Sequence, residues 1–267
     1  MILSNLHTHT PFCDGKSSAE ETVLSAICRG FDSVGFSGHG YTPFDLRYCM
    51  RDTEGYISEV NDLRRRYRDK IKIFLGIEED AFSPCERRRF DYVIGSCHYL
   101  KVGERYLPID SSPEYFKKCL EAFEYDTLRL AESYYCVFCD YLLRRKPDII
   151  GHFDLITKFD EKDGMRFLGD RRYLDIAKKY VKVALKSGAI FEVNTGAISR
   201  GYRTSPYPHE ELLYEIKKAD GRVTLSSDSH SAETLDFFFD EARAILKEVG
   251  FEKVQVLTDG GFVGDKI

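Results

Sequence analysis

The chain has 267 residues, 43% of them apolar and 31% charged, with a net charge of −5, enough for one large α/β domain or two small ones. Its Lys and Arg residues are scattered, with short clusters at residues 64–66 and 87–89, which argues against a dedicated nucleic-acid surface built on phosphate neutralisation. No run approaches the ~18 apolar residues of a membrane span, and no basic stretch leads into an apolar one at the start, so a cytoplasmic protein is expected.

Taken in order, the chain repeats one pattern: a short apolar run ends at a polar or ionisable residue, and a helical segment follows. The runs are residues 2–6, 33–37, 72–77, 92–96, 148–151, 189–193 and 223–226. Between them, Ser17, Ser18, Glu20 and Glu21 give overlapping capping boxes for a helix reaching Gly30. Residues 53–70 carry Ile57, Val60, Leu63 and Tyr67 at helical spacing. Ser112 and Pro113 open a helix or helix pair that runs to about Arg145. Residues 170–187, 208–219 and 232–249 complete the set. Eight cysteines at irregular spacing do not resemble a secreted disulfide framework. The CVFC pair, Cys136 and Cys139, reads as two buried thiols.

Strands alternating with helices predict a parallel sheet with crossover connections. Seven of them suggest a closed or nearly closed barrel more than an open doubly wound sheet. No linker divides the chain, and one domain over residues 1–267 is expected.

The ends of the predicted strands hold the informative residues. His7 and His9 follow the first, an HxH pair suited to placing two nitrogen ligands on one metal ion. His39 follows the second; Glu78, Glu79 and Asp80 the third; His98 the fourth; His152 and Asp154 the fifth; Asp228 and His230 the seventh. Six of the seven histidines thus fall just after a strand, and in a parallel barrel those ends share the face where active sites are built. A lone His such as His98 is more often structural than a ligand. Six imidazoles with Glu78 and Asp228 on one rim, however, need cations between them, and the ligand types suit zinc, iron or manganese. The ligand count implies two or three divalent ions. His209, in the first turn of a helix, reads as a surface residue.

HTHTPFCDG, then GHG, GIE, SCH, GHFD, EVNTG and SDSH, in that order, resemble the polymerase and histidinol phosphatase (PHP) superfamily from residue 7 to about residue 250. Within it, the full-length pattern is similar to the stand-alone L-histidinol-phosphate phosphatases. The resemblance implies a distorted, TIM-barrel-like (β/α)7 barrel with a three-metal centre at the C-terminal rim of its parallel strands. Carried over by motif, His7, His9, Asp228 and a bridging Glu78 would hold one ion. His98 and His152, with Glu78, would hold a second. Asp14, His39 and His230 would hold the third, a solvated Asp-Gly turn being the competing reading of Asp14. The implied reaction is hydrolysis of L-histidinol phosphate to L-histidinol and phosphate, with a metal-bound hydroxide as nucleophile and no side chain assigned to that role.

Arg200 and Arg203, on the loop after the sixth strand, are the expected phosphate ligands, with Lys158 a weaker one, because a guanidinium fork matches phosphate geometry. Asn194 is read as orienting that loop or a ligand, and Glu192 as supporting the ligands from behind. The competing functions are a PHP-type phosphodiesterase or exonuclease, a phosphatase for another small ester, and an inactive metal-binding module.

Overall fold

Each apolar run becomes a parallel strand, and each long intervening segment a crossover. The computed structural model describes residues 2–162, 164 and 166–267. Strand β1 (Ser4–Asn5) is followed by α1 (Ala19–Cys28), β2 (Ser33–Phe36), α2 (Thr53–Arg66), β3 (Lys72–Asp80) and β4 (Tyr92–Ser96). An antiparallel hairpin, β5 (Tyr99–Val102) and β6 (Arg105–Pro108), precedes α3 (Pro113–Ala122), α4 (Thr127–Arg145) and β7 (Ile149–Ile150). Then come α5 (Arg171–Ala184), β8 (Ile190–Asn194), α6 (Gly196–Ser199), α7 (Glu210–Lys218), β9 (Val223–Ser226) and α8 (Phe239–Val249). A second antiparallel hairpin, β10 (Lys253–Thr258) and β11 (Gly261–Lys266), ends the chain.

The seven parallel strands lie in the order β1-β2-β3-β4-β7-β8-β9. The sheet curls until its ends meet: Thr8 and Ser229 form a parallel bridge, with His9 N–H donating to Ser229 O at 2.8 Å and Ser229 N–H to His7 O at 3.1 Å. A seven-stranded barrel results, and its closing bridge lies among the predicted ligands.

Local chemistry sets the helix starts. Ser18 and Glu21 form a full capping box, and Asp52, Ser112, Asp126 and Asp170 each cap a helix with a side-chain oxygen. The barrel interior is filled by Leu6, Phe74, Tyr92, Ile94 and Ile149, with Leu257 and Phe262 of the last hairpin packed into the same cluster. Tyr92 fits because positions 35 and 76 are glycine: a Cβ at either would lie 2.3 Å from its side chain. Outside the barrel, α3, α4, α5, α7 and α8 bury one large apolar cluster, and α1 and α2 a second.

Of the two arrangements expected for residues 112–145 the helix pair forms, because Asp126 caps a new start, and three other features depart from expectation. The helix expected from residue 232 begins at Phe239; Ala232–Thr234 is a 3-10 turn, and the left-handed backbone of Phe238 (φ 64) interrupts the helical ladder. Both hairpins are additions to the predicted set. Of the CVFC thiols only Cys139 is buried; Cys136 is exposed. Among the described residues, no helix is long and apolar enough to cross a membrane.

Candidate metal centre

The barrel topology gathers nine side chains at one rim. β3 runs two residues past its bridge to His39, so Glu78 stands within the strand, and Gly40 N–H donates to its carbonyl at 2.8 Å. Its carboxylate lies at the centre of the group. Oε2 is 2.7 Å from His39 Nδ1, 3.4 Å from His7 Nε2 and 3.8 Å from His9 Nε2. Oε1 is 3.0 Å from His152 Nε2 and 3.3 Å from His98 Nε2, and accepts from Ser96 Oγ at 2.6 Å.

Asp228 follows β9 in a left-handed conformation (φ 48), which aims its Oδ1 at His9 Nε2, 3.1 Å away, and at His7 Nε2, 3.7 Å away. Asp14 reaches the rim through a tight loop in which Cys13 and Gly15 both donate to Thr10 O. A Cβ at Gly15 would lie 2.4 Å from Thr10 N, so that turn requires glycine. Asp14 then stands 3.5 Å from His9 Nδ1, 3.7 Å from His39 Nε2 and 3.3 Å from His230 Nε2.

These nine side chains could hold metal ions, and their chemistry fits that use. His7 Nε2, His9 Nε2, Asp14 Oδ1 and Glu78 Oε2 are buried and, among the described residues, make no hydrogen bond although they face one another. Buried polar atoms are normally paired, and unpaired lone pairs facing a common centre are what a cation requires. Burial and the neighbouring His230 and His39 push His9 down to about 3, whereas against burial Glu192, Asp228 and Glu78 raise His7, and Glu78 with Asp14 or Asp80 raises His39 and His98. Burial opposes the charge of Glu78, but His39, His98 and His7 outweigh it and hold the carboxyl well below its ordinary range. Asp228 is lowered in the same way, burial being outweighed by Arg200 and His7. Four overlapping groups have ligand atoms within 4.8 Å of one another: His9, Asp14, His39 and His230; His7, His9 and Glu78; His7, His152 and Asp228; His39, Glu78 and His98.

The other predicted residues separate. Glu79 points away from the centre, taking two hydrogen bonds from Arg145, at 2.9 and 2.8 Å, and one from Tyr141 at 3.0 Å. Glu192 sits behind His7, with Oε1 2.6 Å from Nδ1. Asn194 Oδ1 accepts from Gly196 N–H at 2.9 Å, fixing the turn into α6. His209 is a half-buried helix cap.

The three basic residues divide likewise. Arg200 and Lys158 line a cavity of about 550 Å³ that also takes in seven of the nine rim side chains, all but His7 and His9. Arg203 does not line it: this side chain is 3% exposed, stacks over Tyr207, donates to Thr157 Oγ1 and faces Asp154 at 3.7 Å. Sequence reading missed Asp110, which follows β6 and lines the cavity with its carboxylate 3.2 Å from Lys158 Nζ. Asp80, beyond Glu79 at the end of β3, holds the backbone of His98: its Oδ2 accepts from His98 N–H at 2.8 Å. Tyr48, Tyr99 and Tyr202 supply aromatic wall. Reading the β5–β6 alternation around Gly103 as a hairpin would have placed Asp110 beside the rim.

A seven-stranded parallel barrel with imidazoles and carboxylates converging on its C-terminal rim defines a protein suited to divalent-metal chemistry at the floor of an open cavity. The chain belongs to the PHP domain family, whose profile matches residues 5–196. It is 28% identical over 277 residues to "Probable histidinol-phosphatase" of Schizosaccharomyces pombe, covering 95% of this chain and 89% of the relative. It is 24% identical to "Histidinol-phosphatase" of Bacillus subtilis, covering 88% of this chain and 96% of that one. The crystal structure of histidinol phosphate phosphatase from Lactococcus lactis, complexed with zinc, L-histidinol and phosphate, superposes with a TM-score of 0.70 at 22% identity, covering 98% of both chains, a likeness of fold.

Proposed function

We propose that this protein is a metal-dependent phosphomonoesterase that hydrolyses L-histidinol phosphate to L-histidinol and phosphate. One observation carries the reading: Glu78, ringed by five imidazoles, lies at the floor of a cavity walled by Arg200, Lys158 and Asp110. The names of relatives matched along nearly their whole length support the choice of ester.

His7, His9, Asp14, His39, Glu78, His98, His152, Asp228 and His230 would hold two or three divalent ions, with zinc, iron and manganese suiting the ligands. Such ions supply Lewis-acid chemistry, lowering the pKa of water and drawing charge from phosphoryl oxygens. The chain's own groups do the rest. Arg200 and Lys158 bind the phosphate oxygens as charge builds on them. Asp110 receives the substrate ammonium, and the tyrosine walls exclude water around the imidazole. Water attacks phosphorus, the P–O bond to the alcohol breaks, one proton of that water ends on the departing alkoxide to give L-histidinol, and its oxygen stays on the phosphate.

The last hairpin fills the barrel floor with Leu257 and Phe262, so we read residues 1–267 as one domain. All eight cysteines are unpaired, which suits the cytoplasmic location we assign. Steady-state kinetics on a panel of phosphomonoesters, beside a single-stranded DNA degradation assay, tests the function. The highest kcat/KM is expected for histidinol phosphate; nucleotide release from DNA without turnover of histidinol phosphate would overturn the reading.

A further inference from the structure

Glu192 lies within β8, is 1% exposed, and does not line the cavity. Both of its carboxylate oxygens are nevertheless used. Oε1 is 2.6 Å from His7 Nδ1 and also accepts from Ser226 Oγ. Oε2 accepts from the His152 backbone N–H at 2.8 Å and from Asn194 Nδ2 at 2.9 Å. Donors from the ends of β1, β7, β8 and β9 therefore meet on one side chain, and an ionised carboxylate, with about four acceptor positions, is the group that satisfies them all. A carboxylate only accepts, so the His7 proton sits on Nδ1. Nε2 then presents its lone pair toward Glu78 Oε2 at 3.4 Å and Asp228 Oδ1 at 3.7 Å.

We infer that Glu192 is a positioning residue that locks His7 and His152 together, and that it governs an ion at His7, His152 and Asp228, the grouping their ligand atoms give in place of the separate ions that the motif resemblance implies for His7 and His152, without governing the one at His9, Asp14, His39 and His230. This rests on the metal-centre reading above. The selectivity follows from contact. Glu192 touches His7 and His152, whereas His9 Nδ1 faces Asp14 Oδ1 and Cys13 Sγ, each at 3.5 Å. His39 and His230 are oriented by Glu78, Asp14 and Asp228.

Glu192→Gln keeps the shape and removes one acceptor. If the new NH2 faces His7, the ring must move its proton to Nε2 and ceases to ligate through that atom. If it faces the other way, it opposes the His152 N–H and Asn194. Either placement breaks one side of the lock.

The test is zinc content of the full-length, zinc-loaded protein dialysed against graded chelator, with circular dichroism to verify folding. Glu192→Gln should release one ion per chain at a chelator concentration about 10–100-fold below that needed for the wild type, and keep the remainder. Asp14→Asn should release a different ion and leave the one governed by Glu192. Because the buried Gln variant could fail to fold, 15N NMR of the histidines in zinc-loaded wild type gives a second readout, with His7 expected to carry hydrogen on Nδ1 and zinc on Nε2. Wild-type release thresholds for every ion in Glu192→Gln, equal loss of all ions, or zinc on Nδ1 of His7 would each overturn the inference. A wild-type chain that takes up no zinc would instead overturn the metal-centre reading beneath it.

Discussion

Arg200 grips Asp228 twice, from Nη2 to the carboxylate Oδ2 and from Nη1 to the backbone oxygen, both at 2.9 Å. The guanidinium that lines the cavity thus also braces a cluster residue held in left-handed backbone (φ 48). Gly196 makes room for this pairing: a Cβ there would lie 2.9 Å from Arg200 Nη2 and 2.9 Å from Asp228 Cβ. Arg200→Ala should raise KM for histidinol phosphate about 10–100-fold, the value of a hydrogen bond to a charged group. Arg200→Lys should recover little of it, because a point charge cannot replace a two-pronged contact. Steady-state kinetics at saturating metal reads both; an unchanged KM in Arg200→Ala would remove this residue from phosphate binding.

Asp110 and Lys158 form a pair at the cavity wall, with Nζ donating to Asp110 O at 2.7 Å and to Oδ2 at 3.2 Å. Burial opposes the charge on Asp110, but Lys158, His98 and His152 outweigh it and keep the carboxyl below its ordinary range. An ionised carboxylate there suits a substrate ammonium. Asp110→Asn keeps an oxygen for Lys158 while removing the charge. It should lower kcat/KM for histidinol phosphate about tenfold or more, as expected for loss of a charge-assisted contact, and leave an amine-free phosphomonoester within about twofold. Equal losses on both esters would show that Asp110 does not read the amine.

The residues gathered at the rim were legible because a parallel barrel puts every strand's C-terminal end on one face. His39, His98 and His152, far apart in the chain, needed only that rule to be brought together. Arg203 was not legible. It lies three residues beyond Arg200 in the same loop, but Gly201 takes a left-handed turn (φ 70) between them, and Arg203 points inward onto Asp154, Thr157 and Tyr207. Asp110 escaped notice because it depends on a hairpin outside the strand-helix alternation. The β10–β11 hairpin did carry a turn signal, Asp259 and Gly260 before a left-handed Gly261, but its role in filling the barrel floor emerges only from packing.

Glu79 makes acid stability testable apart from the metal centre. Burial opposes its ionisation, but hydrogen bonds from Arg145 and Cys85 outweigh that and lower its pKa below the ordinary 4.5. A carboxyl lowered on folding stabilises above its unfolded value, and that stabilisation is lost as pH falls through the folded value. At pH 7, Glu79→Gln should therefore be less stable than wild type by about 2 kcal/mol, as for hydrogen bonds to a charged group. The gap should shrink as pH drops below 4.5. Urea unfolding of both proteins at pH 7 and in acid measures it, and a gap that stays constant would mean Glu79 is not the titrating group.

Glu78 offers the most direct test of the centre, because five imidazoles face its two oxygens and, among the described residues, no other carboxylate lies as close to the ring nitrogens of His39, His98 and His152. Its removal leaves those rings without their shared anion, and a cation among them loses the charge that offsets its own. The effect should exceed the ~10–100-fold cost of disturbing a supporting residue. Glu78→Ala should thus lower turnover of histidinol phosphate more than about 100-fold and reduce bound metal by at least one ion per chain. Glu78→Asp, with the charge kept but drawn back by one carbon, should retain more metal than activity, since geometry and charge are then separated. Turnover and metal content measured on the same preparations decide the matter: an alanine variant with full activity would place the shared ligand elsewhere on the rim, and one with normal metal but no turnover would make Glu78 a group that acts on the substrate or the attacking water instead of on the ions.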